Sequence, residues 1–272
     1  MLFDGVLIAS DLDGTLTSPT GEILPEVRDA IRYFIDNGGH FTVCTGRVYL
    51  GFHRYSPEII NAPVLLANGG MAYDYAQKKI AVFNGIGPES WDAVRWVRDH
   101  LPALSIELYP FDRACAINMT DSSHRHFTSQ DIPFERVEDP SQAGDRWAKM
   151  MLLGPREDIL QAEAWLKENA PTLDTLTTDG DYLEVLAHGV NKGSALLALA
   201  DYLGVKHEDA YAVGDGCNDL EMLRAAALAF VPENGDAQPK ACADYIVRSN
   251  AEGAVAHVID ILAGIYRQRR GL

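Results

Sequence analysis

Apolar residues in this chain fall into short blocks, and several blocks stop abruptly at polar residues. Val6-Leu7-Ile8-Ala9 runs into Ser10-Asp11-Leu12-Asp13-Gly14-Thr15. An unbroken apolar run of that length predicts a strand covered on both faces, as in a parallel sheet. After turn residues at Ser18-Pro19-Thr20-Gly21, the spacing of Val27, Ile31, Phe34 and Ile35 predicts a helix from Pro25 to Asn37, ended by Gly38-Gly39. Phe41-Thr42-Val43-Cys44 predicts a second strand, which stops at Thr45-Gly46-Arg47. A helix toward Ile60 and a third strand, Val64-Leu65-Leu66-Ala67, follow, the latter stopping at Asn68-Gly69-Gly70. Alternating strands and helices predict a parallel sheet with right-handed crossovers. Tyr73 to Val82 reads as a small hairpin.

The rhythm changes near Gly85-Ile86-Gly87-Pro88. A helix over Glu89 to His100 leads to strands at Ser105–Tyr109 and Ala114–Met119. The stretch from Thr120 to Arg146 is polar, with few clear periodicities. Trp147–Leu153, Leu173–Thr178 and Tyr182–Ala187 read as strands, and Arg156–Asn169 as an amphipathic helix. From Asn191 the first rhythm returns: helix over Lys192–Leu203, strand Ala210–Val213, helix Asn218–Ala226, strands Ala227–Val231 and Tyr245–Val247, and a last helix from Glu252 to Tyr266. The pattern predicts a Rossmann-like α/β core made of residues 1–84 and 188–272, interrupted by an α+β module over 85–187.

Composition narrows the functions. Among 272 residues, 39 acidic side chains outnumber 23 basic ones, for a formal net charge of −16. That balance argues against a nucleic-acid partner, whose phosphates need a basic surface. Cys44, Cys115, Cys217 and Cys242 form no C-x-x-C and read as reduced thiols of a cytoplasmic protein. No signal-peptide pattern or membrane-length apolar run is found, so no membrane partner is expected.

The strand ends carry the candidate chemistry. They supply Asp11, Asp13 and Thr15, then Thr45, Gly46 and Arg47, then Asp215, Asn218 and Asp219, while Lys192 opens a helix. In an open α/β sheet such ends converge on the ligand-binding edge. Crowded carboxylates repel and take up protons unless a cation sits among them. Mg²⁺ suits an oxygen donor set shared with a phosphate, and the absence of clustered Cys and His disfavours zinc. Lys192 adds a point charge and Thr45 a hydroxyl for phosphate oxygens. The set matches phosphoryl transfer.

Asp11-Leu12-Asp13-Gly14-Thr15, Thr45-Gly46-Arg47, Lys192 and Gly214-Asp215-Gly216-Cys217-Asn218-Asp219 resemble, in order, the four motifs of the haloacid dehalogenase superfamily. The insertion between the second and third resembles the cap of its Cof-type phosphatases. Asn68-Gly69-Gly70, Asn191-Lys192-Gly193 and Ser249-Asn250-Ala251-Glu252-Gly253 resemble that branch too. Phe230-Val231-Pro232-Glu233-Asn234-Gly235 departs from it, with Asn234 standing for the usual asparagine. The resemblance implies that Asp11 attacks phosphorus to form an aspartyl-phosphate, and that Asp13 protonates the leaving oxygen and then activates water. It implies Mg²⁺ on Asp11, the backbone carbonyl of Asp13, and Asp215. Thr45 and Lys192 would bind the phosphoryl group, while Asn218 and Asp219 position metal waters or Lys192. Asp219 is also a candidate ligand, and Gly46, Arg47, Asn68 and Asn218 are candidate phosphate or substrate contacts.

The expected activity is Mg²⁺-dependent hydrolysis of a small phosphorylated metabolite, a sugar phosphate or cofactor phosphate. The alternatives are a phosphotransferase or phosphomutase on the same core, and a silent phosphosugar-binding regulator. Arg47 serves equally well as an ion-pair partner. His124 and His126, two apart in a polar stretch, are expected at the surface, Trp91 and Trp96 in the core of the inserted module, and Cys217 in no catalytic role.

Overall fold

The computed structural model describes residues 1–52, 59–179 and 182–271. The chain gathers into two compact units. One comprises Met1–Gly46, Ser56–Ala81 and Asn191–Leu272; the other comprises Arg47–Tyr55 and Val82–Val190.

In the first unit, five parallel strands lie in the order Tyr245–Val247, Ala229–Pro232, Ala210–Val213, Leu7–Ser10 and His40–Val43. Leu7–Ser10 lies between Ala210–Val213 and His40–Val43 and is buried at every position, without alternation, so both its faces are covered. Helices Pro25–Asp36 and Ala254–Arg270 pack together, as do Lys192–Leu203 and Leu220–Ala225. Because the strands are parallel, Asp11, Cys44-Thr45 and Gly214-Asp215 all leave the sheet at the same edge.

Val64–Leu66 meets the end of the second strand in the expected parallel sense, through a bridge from Cys44 to Leu65. It also pairs antiparallel with Met71–Asp74, in a three-stranded sheet that holds Lys79–Phe83 as well. The tight turn at Ala67–Gly69, with Ala67 and Asn68 both at φ 52°, reverses the chain after Leu66 and sets up that antiparallel pair. Part of the helix expected toward Ile60 lies outside the described residues; what is described is Tyr49–Phe52.

The second unit is a six-stranded sheet, antiparallel except where Ala114–Ile117 meets Phe134–Arg136. Its register separates two faces. Ile106, Leu108, Met150, Leu152, Leu183 and Val185 join residues of helices Trp91–His100 and Arg156–Asn169 in one apolar core, with Trp91 and Trp96 packed against it. On the other face, Glu107 and Glu184 flank Met151, and Tyr109 lies beside Lys149. The polar stretch after Thr120 is more ordered than its pattern predicts. It forms helix Asp121–Gln130, capped by the Thr120 side chain, and strand Phe134–Arg136. Tyr49 also belongs here, with its ring centroid 4.6 Å from that of Phe111, so the unit takes in Arg47–Tyr55 as well as the predicted 85–187. Among the described residues, no helix is long and apolar enough to cross a membrane.

Candidate active site

The end of strand Leu7–Ser10 fixes the first carboxylate. The Asp11 N–H donates to Val213 O at 2.8 Å, which carries the sheet ladder one residue past Ser10. Asp13 and Gly14 then take φ/ψ of −80°/125° and 81°/−9°, the values of the central pair of a type II turn. Glycine suits the second place because of its positive φ. A Cβ there would also collide with the Asp215 carboxylate. Asp11 is therefore buried, while Asp13, two residues on, is exposed.

Lys192 enters from the first turn of its helix. Asn191 caps that helix, its side chain accepting the Ser194 N–H at 2.8 Å. Gly193 lets the helix approach the Glu221 backbone, which a Cβ would strike. The fully buried Lys192 ammonium donates to Asp11 Oδ1 and Asp219 Oδ1, each at 2.6 Å. Burial opposes its charge, but these two carboxylates outweigh burial and raise its pKa.

Asp219 is saturated by protein donors. Its Oδ1 takes Lys192, and its Oδ2 takes the backbone N–H groups of Asp215 at 3.0 Å and Gly216 at 2.9 Å. It thereby shapes the loop that presents Asp215. Thr15 steadies Asp215 from the other side, its hydroxyl donating to Oδ1 at 2.6 Å. Sequence reasoning placed Thr15 in the first cluster without giving it this task, since the bond spans two hundred residues.

Ligand oxygens of Asp11, Asp215 and Asp219 lie within 4.8 Å of one another. One ammonium does not neutralise three carboxylates. Burial, and then the charge of Asp219, pushes the Asp11 carboxyl up to about 8, against the pull of Lys192. Asp215 is raised too, first by burial, although its bond from Thr15 opposes the shift. An all-oxygen cluster carrying excess negative charge suits a hard divalent cation.

The remaining candidates divide between the units. Thr45 follows strand His40–Val43, is buried, and anchors through its N–H to Leu65 O at 2.9 Å. Its carbonyl accepts the Asn68 N–H at 3.0 Å, which draws Asn68 beside Gly46. Asn218 Nδ2 reaches Asn68 Oδ1 at 3.5 Å. Arg47 falls in the second unit. His126 corrects an expectation: far from lying open in a polar stretch, it is 12 % exposed and meets buried Glu107 at 2.8 Å.

A family model described as haloacid dehalogenase-like hydrolase matches residues 8–259. The chain is 28 % identical to the 5-amino-6-(5-phospho-D-ribitylamino)uracil phosphatase YwtE of Bacillus subtilis, over 95 % of this chain and 99 % of that one. It is 26 % identical to the HMP-PP phosphatase of Serratia proteamaculans, over 93 % of each. A solved haloacid dehalogenase-like hydrolase from Bacteroides thetaiotaomicron superposes with a TM-score of 0.83 at 23 % identity, over 94 % of this chain and 99 % of that one.

Proposed function

The chain belongs to the haloacid dehalogenase-like hydrolases, and from that premise we propose that it is a Mg²⁺-dependent phosphatase working through an aspartyl-phosphate on Asp11. The observation that carries this reading is the junction of Asp11, Asp215, Asp219 and Lys192 at one sheet edge.

Lys192 engages Asp11 Oδ1, so Oδ2 is the atom we assign to attack on phosphorus. The ammonium favours the ionised form of Asp11, in part offsetting its burial, and offers charge to the phosphoryl oxygens. Asp219 holds that ammonium in place; with both oxygens engaged, it is better suited to that task than to ligation. Asp11 and Asp215 fit as side-chain ligands, together with the Asp13 backbone carbonyl. When bound, Mg²⁺ offsets the charge of the carboxylates and the phosphate.

Asp13 is the assigned acid and base. Its exposure suits a group that gives a proton to the leaving oxygen and later takes one from water. Thr45, Gly46, Asn68 and Asn218 are assigned to the phosphate and its immediate surroundings. Arg47 and the rest of the inserted unit, 85–187 in the sequence reading, are assigned to the organic part of the substrate as a cap.

The names of the two curated relatives point to small phosphorylated metabolites with a polar organic part. A sugar phosphate or cofactor phosphate is the proposed class. Four free cysteines support a reducing, cytoplasmic setting. The test is phosphate release across a panel of such metabolites, with and without Mg²⁺, by the wild type and Asp11→Asn. The reading expects Mg²⁺-dependent release that the variant lacks. Equal release by the variant overturns it.

A further inference from the structure

The loop that carries Asp13 is closed locally by Thr17, whose N–H and hydroxyl both donate to the Leu12 carbonyl, at 2.9 and 3.0 Å. A second grip, on Gly14 itself, comes from the far end of the chain. Asn234, in the loop after strand Ala229–Pro232, donates Nδ2–H to the Gly14 carbonyl at 2.7 Å. The same amide accepts the Asn250 N–H on Oδ1 at 2.8 Å. An amide that accepts on Oδ1 from a backbone N–H must present its NH₂ on the other side, so one bond orients the other. Asn250 is 8 % exposed, and its own Nδ2 donates to Thr17 O at 2.8 Å. The two asparagines thus bracket the loop, one at Gly14 and one at Thr17.

The segment around Asn234 also reaches the other side of the site. Asp236 N–H donates to Asp215 O at 2.9 Å. One short loop therefore ties the Asp13–Gly14 turn and the Asp215 loop to a single frame.

We infer that Asn234, oriented by Asn250, is a positioning residue that aims Asp13 at the leaving oxygen. This rests on the reading of Asp13 as the acid. Glycine at a positive φ is the softest point between Asp13 and the rest of the loop, and a bond on its carbonyl is the direct way to stiffen it. Asn234 makes both of these side-chain bonds with backbone groups, the Gly14 carbonyl and the Asn250 N–H. Its effect therefore falls on leaving groups that need a proton and spares those that depart without one.

The experiment compares kcat/KM for an alkyl phosphate, whose alkoxide needs protonation, with kcat/KM for p-nitrophenyl phosphate, whose phenolate leaves unaided; kcat/KM reports departure of the leaving group and not the hydrolysis step that the two substrates share. Wild type, Asp13→Asn, Asn234→Asp, Asn234→Ala and Asn250→Asp are measured with Mg²⁺. Asn234→Asp keeps the acceptor for Asn250 but loses the donor to Gly14, and Asn234→Ala removes both without adding charge. The inference expects Asp13→Asn to lower the alkyl-to-aryl ratio about 10²-fold or more. Both Asn234 variants should lower it about tenfold, and Asn250→Asp less. If Asp13→Asn lowers the ratio and both Asn234 variants keep the wild-type value, the inference fails while the reading of Asp13 stands. If Asp13→Asn itself leaves the ratio unchanged, that reading fails and takes the inference with it.

Discussion

Both units bury acidic side chains, and they treat them differently. In the inserted unit, Glu107 is wholly buried but fully served. Ser123 donates to Oε1 at 2.7 Å, while the Tyr109 hydroxyl and His126 Nδ1 meet Oε2. In the core unit, Asp11, Asp215 and Asp219 crowd together around the single Lys192. A buried carboxylate whose partners are complete holds a structure together. A cluster whose negative charge exceeds its donors is poised for a cation and a substrate. Burial alone does not mark a site; the imbalance does.

The sharpest way to break this contrast is Asp11→Asn. Loss of the attacking carboxylate should cut turnover about 10³-fold or more, measured as phosphate release at saturating substrate. Chelation comes next. EDTA should stop turnover and added Mg²⁺ restore it, and the thermal midpoint should report the same charge imbalance. Without a cation, the folded Asp11 carboxyl sits near 8, above its unfolded value of 3.8. Between those values the folded form holds a proton that the unfolded chain has lost, so stability falls as pH rises through the window. Mg²⁺ should therefore raise the midpoint more at pH 8 than at pH 5, checked by calorimetry; equal shifts at both would contradict the imbalance.

Glu107→Gln probes the other half of the comparison. It upsets a buried network rather than a reacting group, so it should cost about 1–3 kcal/mol in urea unfolding while Mg²⁺-dependent phosphate release persists. The smallest effect belongs to Asp139, held below the usual carboxylate range by Arg95 and by Ser141. A depressed folded pKa gives stability that is present above the unfolded value of 3.8 and lost as pH falls below it. Asp139→Asn should therefore cost under about 1 kcal/mol at pH 7, and the gap from wild type should close in acid melts below pH 4.

The two units also differ in how far their sequence reveals them. The core is legible because the strands that carry the site are buried on both faces and stop at polar residues, so pattern and chemistry coincide at Asp11, Thr45 and Asp215. Val64–Leu66 is legible as a strand parallel to the second, but its antiparallel partner Met71–Asp74 is not, since the turn at Asn68-Gly69 decides that pairing. Helix Asp121–Gln130 escapes periodicity because it turns Ser123 and His126 inward alongside Phe127. Its partner surface is the polar face around Glu107, so the usual apolar stripe is missing. Asn234 and Thr15 show no short-range signal of their tasks, since their partners lie about two hundred residues away.

The central claim is that Asp11 carries the phosphoryl group during turnover. Acid-quenching the Mg²⁺-loaded enzyme within its first turnovers on p-nitrophenyl phosphate, followed by peptide mass spectrometry, tests this directly. The account predicts phosphoryl mass on Asp11 in the wild type and none in Asp11→Asn. Steady turnover with Asp11 unmodified, or the phosphoryl group on another residue, would contradict it.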